Sequence, residues 1–228
     1  MSTIADSILQ VGSRIQAAAN AANRDENSIQ LLAVSKTKPA EALREAYAAG
    51  LRDFGENYLQ EALGKQLELA DLPLIWHFIG PIQSNKTRAI AEHFDWVHSV
   101  DRLKIAQRLS EQRPAELPPL NICIQVNVSG EASKSGCTPA DLPALAEAIS
   151  ALPRLKLRGL MAIPEPTEDR AEQDAAFAAV QKMQASLALP LDTLSMGMSH
   201  DLESAIAQGA TWVRIGTALF GARDYSQS

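Results

Sequence analysis

Lys36 stands in the string AVSKTKP, at the C-terminal end of an apolar run with strand character, and Pro39 follows at the expected first turn of a helix, where its missing N–H costs little. A lysine at such a strand end, partly desolvated by Val34 and its neighbours, has the chemistry of an amine nucleophile toward an aldehyde, because desolvation favours the neutral amine. Position alone favours a lysine whose stem packs while its head reaches solvent or a carboxylate. A second constellation lies near the C-terminus, in SMGMSHDLESAI and then WVRIGTALFG. Ser199 falls where a strand is expected to turn into a helix, so its hydroxyl and the N–H groups after it form an anion site. Gly216 allows close approach to the backbone, and Thr217 adds a hydroxyl and an N–H, a combination suited to phosphate. An ordinary helix cap and a packing glycine explain the same residues. Strand alternation puts Trp212, Arg214 and Gly216 on one face, and an arginine inside a barrel needs a partner, either a ligand ring nitrogen or a buried acid.

The elements that position these residues are legible as alternation. Eight β-prone runs, Leu31–Lys36, Asp53–Asn57, Leu74–Ile79, Trp96–Val100, Asn121–Val128, Lys156–Ile163, Thr193–Met198 and Trp212–Phe220, are separated by stretches with helical periodicity. Among the helices are Pro39–Ala49, Asp101–Gln112, Pro139–Ala151, Arg170–Leu187 and Asp201–Gln208, and an amphipathic segment with Ile4, Ile8, Val11 and Ile15 precedes the first strand. This is the pattern of an α/β fold, a (β/α)8 TIM barrel with an extra N-terminal helix. Residues 1–228 read as one domain, since no linker divides them and Arg113–Pro119 is only a proline-stiffened loop. In such barrels functional groups gather where the strands end, and phosphate sites recur after strands seven and eight.

Composition narrows the class. With 21 basic and 27 acidic side chains, a net charge of -6 offers no broad attraction to nucleic acid or anionic membranes. Cys123 and Cys137 have neither disulfide-scaffold nor metal-ligand spacing, and no stretch reads as a signal peptide or a membrane span, so a cytoplasmic protein is expected. His93 and His98 flank the start of the fourth strand and are expected at the barrel face opposite the site, with no metal motif around them.

Taken together, LLAVSKTKP, FGENYLQE, WHFIGPIQSNK, RGLMAIP, LSMGMSHDLESAI and VRIGTALFGARDY resemble the pyridoxal 5′-phosphate (PLP) homeostasis protein family over nearly the whole chain. The resemblance implies a barrel similar to the N-terminal domain of alanine racemase and fold-type III decarboxylases, without their C-terminal β domain. It implies PLP as cofactor, held as a Schiff base on Lys36, with Ser199, Gly216 and Thr217 on the phosphate and Arg214 facing the pyridine nitrogen. Asn57, His77, Ser84, Asn85 and Met198 are expected in the pocket wall. His200 departs from the small polar or acidic residue expected beside Ser199, and its titration could tune that site.

The function implied is control of free PLP, with indirect effects on amino-acid and keto-acid metabolism. The expected partners are PLP and PLP-dependent apo-enzymes, with no nucleic acid and no membrane, and the chain is expected to act as a monomer. Arg214 at the ring nitrogen would keep that nitrogen unprotonated and weaken the ring as an electron sink. Of the tyrosines Tyr47, Tyr58 and Tyr225, only Tyr58 lies next to a strand end where proton transfer is conceivable. A non-catalytic carrier is therefore expected. A minimal PLP-dependent racemase or decarboxylase, or a Schiff-base aldolase acting on a phosphosugar, are the alternatives. Lys134, in the loop SGEASKSG, is a candidate secondary amine for PLP capture.

Overall fold

In the computed structural model, which describes residues 2–222, helix α1 (Ile4–Ala21) opens the fold with a capping box. The Thr3 hydroxyl accepts from the Asp6 N–H at 3.1 Å, and the Asp6 carboxylate accepts from the Thr3 N–H at 3.0 Å. The strands follow as β1 (Gln30–Val34), β2 (Asp53–Glu56), β3 (Ile75–Phe78), β4 (Trp96–Val100), β5 (Leu120–Gln125), β6 (Leu155–Met161), β7 (Thr193–Ser195) and β8 (Trp212–Ile215). Between them run α2 (Ala40–Ala48), α3 (Leu59–Glu68), α4 (Thr87–His93), α5 (Leu103–Gln112), α6 (Leu142–Ser150), α7 (Arg170–Ser186) and α8 (Leu202–Ala207), and α9 (Thr217–Phe220) follows β8. The strands pair in chain order, all parallel, and β8 pairs with β1 to close the barrel.

Alternation along the strands sorts side chains into two cores. Phe54, Trp76, Phe78, Val97 and Val213 face outward into the layer shared with the helices. Leu32, Trp96, Cys123, Met161 and Trp212 face inward and fill the barrel, with the Trp96 and Trp212 rings 5.7 Å apart. Burial pushes the Cys123 thiol up to about 12, so this cysteine is a packing residue.

Most strands end short of the sequence expectation, β8 by the most and β5 and β7 next. The eighth strand does not continue to Phe220: it stops at Ile215, and Thr217–Phe220 is helical. The seventh stops at Ser195, because Gly197 takes a left-handed φ of +100°, although hydrogen bonds from Met196 N–H to Trp212 and from Arg214 N–H to Gly197 carry the pairing a little further. The helix after β7 starts at Leu202, with the expected first residue Asp201 as its N-cap. Helix α1 packs on α8 and α9. Its Arg14 pairs with Glu203 at 2.7 Å and donates to the Ser199 carbonyl at 2.8 Å, so the added helix braces the loop after β7.

Candidate functional site

At the C-terminal mouth of the barrel a cavity of about 230 Å³ is lined by Val34, Lys36, Asn57, Ile79, Ile163, Met198, Ser199, His200, Arg214, Gly216 and Thr217. Three strand ends far apart in sequence meet there: β1 brings Lys36, β7 leads into Met198 and Ser199, and β8 carries Arg214 and leads into Gly216 and Thr217. The Ser199 hydroxyl does not cap the helix that follows it. It accepts at 3.4 Å from the N–H of Ala218, in α9, and so joins the loop after β7 to the loop after β8. A Cβ at Gly216 would come within 3.3 Å of the Val34 carbonyl oxygen, a tight contact where β8 passes β1.

Arg214 is 4 % exposed and has no carboxylate partner among the described residues: it donates to the Ser195 hydroxyl at 2.9 Å and to the Ala162 carbonyl at 3.0 Å. Burial lowers its pKa to about 10, against the opposing field of Asp201, and it remains a cation at neutral pH. Among the described residues no buried acid bonds it, and both oxygens it bonds are neutral. Asn57 adds a buried Oδ1 with no hydrogen-bond partner. That is an acceptor whose desolvation is uncompensated by the protein. Gly80 makes its placement possible, because a Cβ there would lie 2.3 Å from the Asn57 carbonyl oxygen.

The backbone on both sides of Lys36 is clamped by a buried charge network that sequence reading did not find. Lys65 Nζ donates to the Ser35 carbonyl and to Glu56 Oε1, both at 2.7 Å, and to Glu61 Oε1 at 2.6 Å. The Ser35 hydroxyl donates to Glu56 at 2.7 Å, and the Thr37 N–H donates to Glu61 at 2.6 Å. Thr37 is held at φ +63°, costly for a β-branched residue, so the chain turns sharply just after the lysine. Burial raises the Glu56 pKa, and Lys65 and Ser35 pull it back. The available signal was a glutamate inside β2 and a lysine nine positions later on the helix that covers it.

Three expected wall residues lie elsewhere. His77 is fully buried one layer below the cavity, because alternation along β3 gives the mouth to Ile79 and puts His77 two residues deeper. Ser84 and Asn85 sit on a 3-10 turn leading into α4, where the Ser84 carbonyl accepts from Thr87 and Arg108, and neither lines the cavity. His98 is not at the opposite barrel face. It is wholly buried inside the barrel and bonds to Ser195 at 2.8 Å. Exposed His93 ends α4. Lys134 is paired with Glu165, which raises its pKa and keeps the amine protonated. Tyr58 is 51 % exposed and does not line the cavity, and Tyr225 lies outside the described residues. A larger neighbouring cavity of about 670 Å³ meets the first at His200; of the charged residues that line it, Arg170 and Glu203 are paired with Asp174 and Arg14.

The sequence profile of the family described as "Alanine racemase, N-terminal domain" matches residues 11–224. A pyridoxal phosphate homeostasis protein of Pseudomonas aeruginosa is 78% identical over 99% of this chain and 98% of its own, and one of Escherichia coli is 56% identical over the full length of both. The chain belongs to the pyridoxal phosphate homeostasis protein family. PipY of Synechococcus elongatus, solved with PLP bound, superposes with a TM-score of 0.85 at 44% identity, covering 96% of this chain and 100% of that one. Alanine racemase of Corynebacterium glutamicum shares the fold, with a TM-score of 0.68 at 16% identity over 98% of this chain and 64% of the enzyme.

Proposed function

We propose that this protein binds PLP with the Lys36 amine as its covalent anchor and serves PLP homeostasis as a non-catalytic carrier. The observation that carries the reading is the convergence of Lys36, Ser199, Arg214, Gly216 and Thr217 from three strand ends on one cavity, beside the unpartnered Asn57 oxygen. When bound, PLP supplies an aldehyde that condenses with a primary amine and a phosphate dianion. Lys36 offers the amine. The Ser199 hydroxyl and the Gly216–Thr217 backbone suit the phosphate, and Arg214 gives a fixed cation with donors left over beside the ring. Asn57 Oδ1 would accept from a donor on the bound group, and Met198 and Ile79 form apolar walls.

The carrier reading draws support from the pocket chemistry and from the name borne by the relatives. Among the described residues the titratable groups lining the cavity are Lys36, His200 and Arg214, and no tyrosine joins them as a second acid or base. The chain is read as a cytoplasmic monomer that hands PLP to apo-enzymes. Among the described residues no helix is long and apolar enough to cross a membrane. The deciding experiment is the absorbance spectrum of purified protein given PLP, before and after borohydride, with mass spectrometry of the reduced chain. A bleached band and one phosphopyridoxyl group on Lys36, absent from Lys36→Ala, are expected. Protein that takes up no PLP would end the proposal, and exchange of an amino acid's α-proton at enzymatic rate would replace the carrier with a racemase.

A further inference from the structure

Five residues from five strands form an unbroken hydrogen-bonded chain through the barrel interior. Asp53 Oδ1 lies 2.8 Å from His77 Nε2, His77 Nδ1 lies 2.8 Å from His98 Nε2, and His98 Nδ1 lies 2.8 Å from Ser195 Oγ. Arg214 donates to that same Oγ at 2.9 Å. Both histidines and Ser195 are fully buried, whereas the Asp53 side chain, at the N-terminal end of the barrel, is 21% exposed. The chain thus runs from the barrel's far face to the arginine that lines the cavity.

Donor bookkeeping gives this chain a direction. An ionised Asp53 only accepts, so His77 Nε2 carries a proton, and a neutral His77 then accepts at Nδ1. His98 must therefore donate from Nε2 and accept at Nδ1, which leaves Ser195 to donate its O–H to His98 and to accept from Arg214. We propose that the Asp53–His77–His98–Ser195 chain is a positioning relay that locks both imidazoles in the Nε2–H tautomer and, through Ser195, aims the Arg214 guanidinium at the cavity.

One added proton reverses it. If His77 becomes a cation it donates at both nitrogens, His98 must turn to the Nδ1–H tautomer, and Ser195 accepts from both His98 and Arg214, freeing its own proton. The groups that face the pair are few. Asp53 and Asp95 favour charging His77, while burial opposes it. His77 and Arg214 both disfavour a charge on His98, and burial does so more strongly. Cys123 faces Arg214 as a neutral thiol, and Arg158 stands 4.6 Å over the Trp96 ring that stacks on His77. At neutral pH the unprotonated arrangement holds.

The link from Arg214 to a ligand rests on the PLP reading, whereas the locked tautomers do not. The test uses full-length protein labelled with 15N-histidine, apo and PLP-loaded, and reads the four histidines by long-range proton–nitrogen correlation, with His98 assigned from its loss in His98→Gln. At pH 7.5 His77 and His98 are expected as single Nε2–H tautomers. Asp53→Asn, whose amide can accept or donate, is expected to turn both into mixtures and to shift the absorption band of the PLP-loaded protein. Ser195→Ala, read from the other end, is expected to move His98 Nδ1 to the frequency of an unbonded nitrogen. An Nδ1–H tautomer at His98 in the native protein overturns the relay, as do unchanged tautomers in Asp53→Asn or an unmoved Nδ1 in Ser195→Ala. Locked tautomers in a protein that takes up no PLP would leave the relay standing and remove the PLP reading instead.

Discussion

Two buried polar networks serve the same mouth of the barrel with opposite electrostatics. The one beside Lys36, between β1, β2 and α3, is charged: the Lys65 ammonium has all three donors engaged by Ser35, Glu56 and Glu61. The one beneath Arg214 carries its bonds through two neutral imidazoles. The difference follows from what each ion finds nearby. A buried charge is tolerated where counter-charges and matching hydrogen bonds stand at contact distance, whereas complete burial outweighs the single Asp53 contact at His77 and meets no opposing carboxylate at His98. Arg214 is the instructive intermediate, a buried cation bonded only to neutral oxygens and open on one side to a cavity that suits an anionic ligand.

This contrast predicts the largest loss in the charged network. Lys65→Met leaves Glu56 buried without its counter-charge and is expected to cost about 3–5 kcal/mol in urea unfolding. Adding Glu56→Gln should recover a substantial part of that, and a double variant no more stable than the single would mean the network is not one coupled unit. His98→Leu strips donors and acceptors from His77 and Ser195 without stranding a full charge, so about 2 kcal/mol is expected from the same measurement. A loss equal to that of Lys65→Met would erase the distinction between the networks.

A pH series sharpens it further. Burial holds His77 and His98 below the ordinary histidine value of 6.5, so the unfolded chain binds protons that the folded one refuses. The stability they contribute is therefore full above pH 6.5 and is lost as pH falls from there toward their folded values. Glu56 acts in the opposite sense, since a raised carboxyl pKa contributes stability that is present below 4.5 and is lost as pH rises through its folded value. Urea midpoints should fall between pH 7 and pH 5.5, by less in His98→Leu than in the native chain. The smallest effect is expected at Thr37, where Thr37→Gly relieves a left-handed backbone at the cost of unfolded-state freedom and should stabilise by about 0.5 kcal/mol.

How much of this was readable in advance depends on the range of the interaction. Lys36, Ser199, Arg214, Gly216 and Thr217 were legible because each lies at or just past a strand end, and a closed parallel barrel brings all its strand ends to one face. Asn57 and Met198 were placed on the same logic. His77 failed because its depth along β3 depends on where that strand ends, and Ser84 and Asn85 failed because a turn carries the chain away from the mouth. The eighth strand was drawn too long because an apolar run such as TALF fits a strand or a helical turn equally, and its partners decide.

The sequence by itself determined the order of strands and helices, the barrel they close, and the residues delivered to its C-terminal mouth, since periodicity and chain order are local properties. Only the tertiary structure decided which buried groups are charged and which are neutral. Glu56 and Lys65, or Ser195 and His98, meet across strands and helices, and the proton each holds is set by the neighbour it finds in a medium that cannot solvate it.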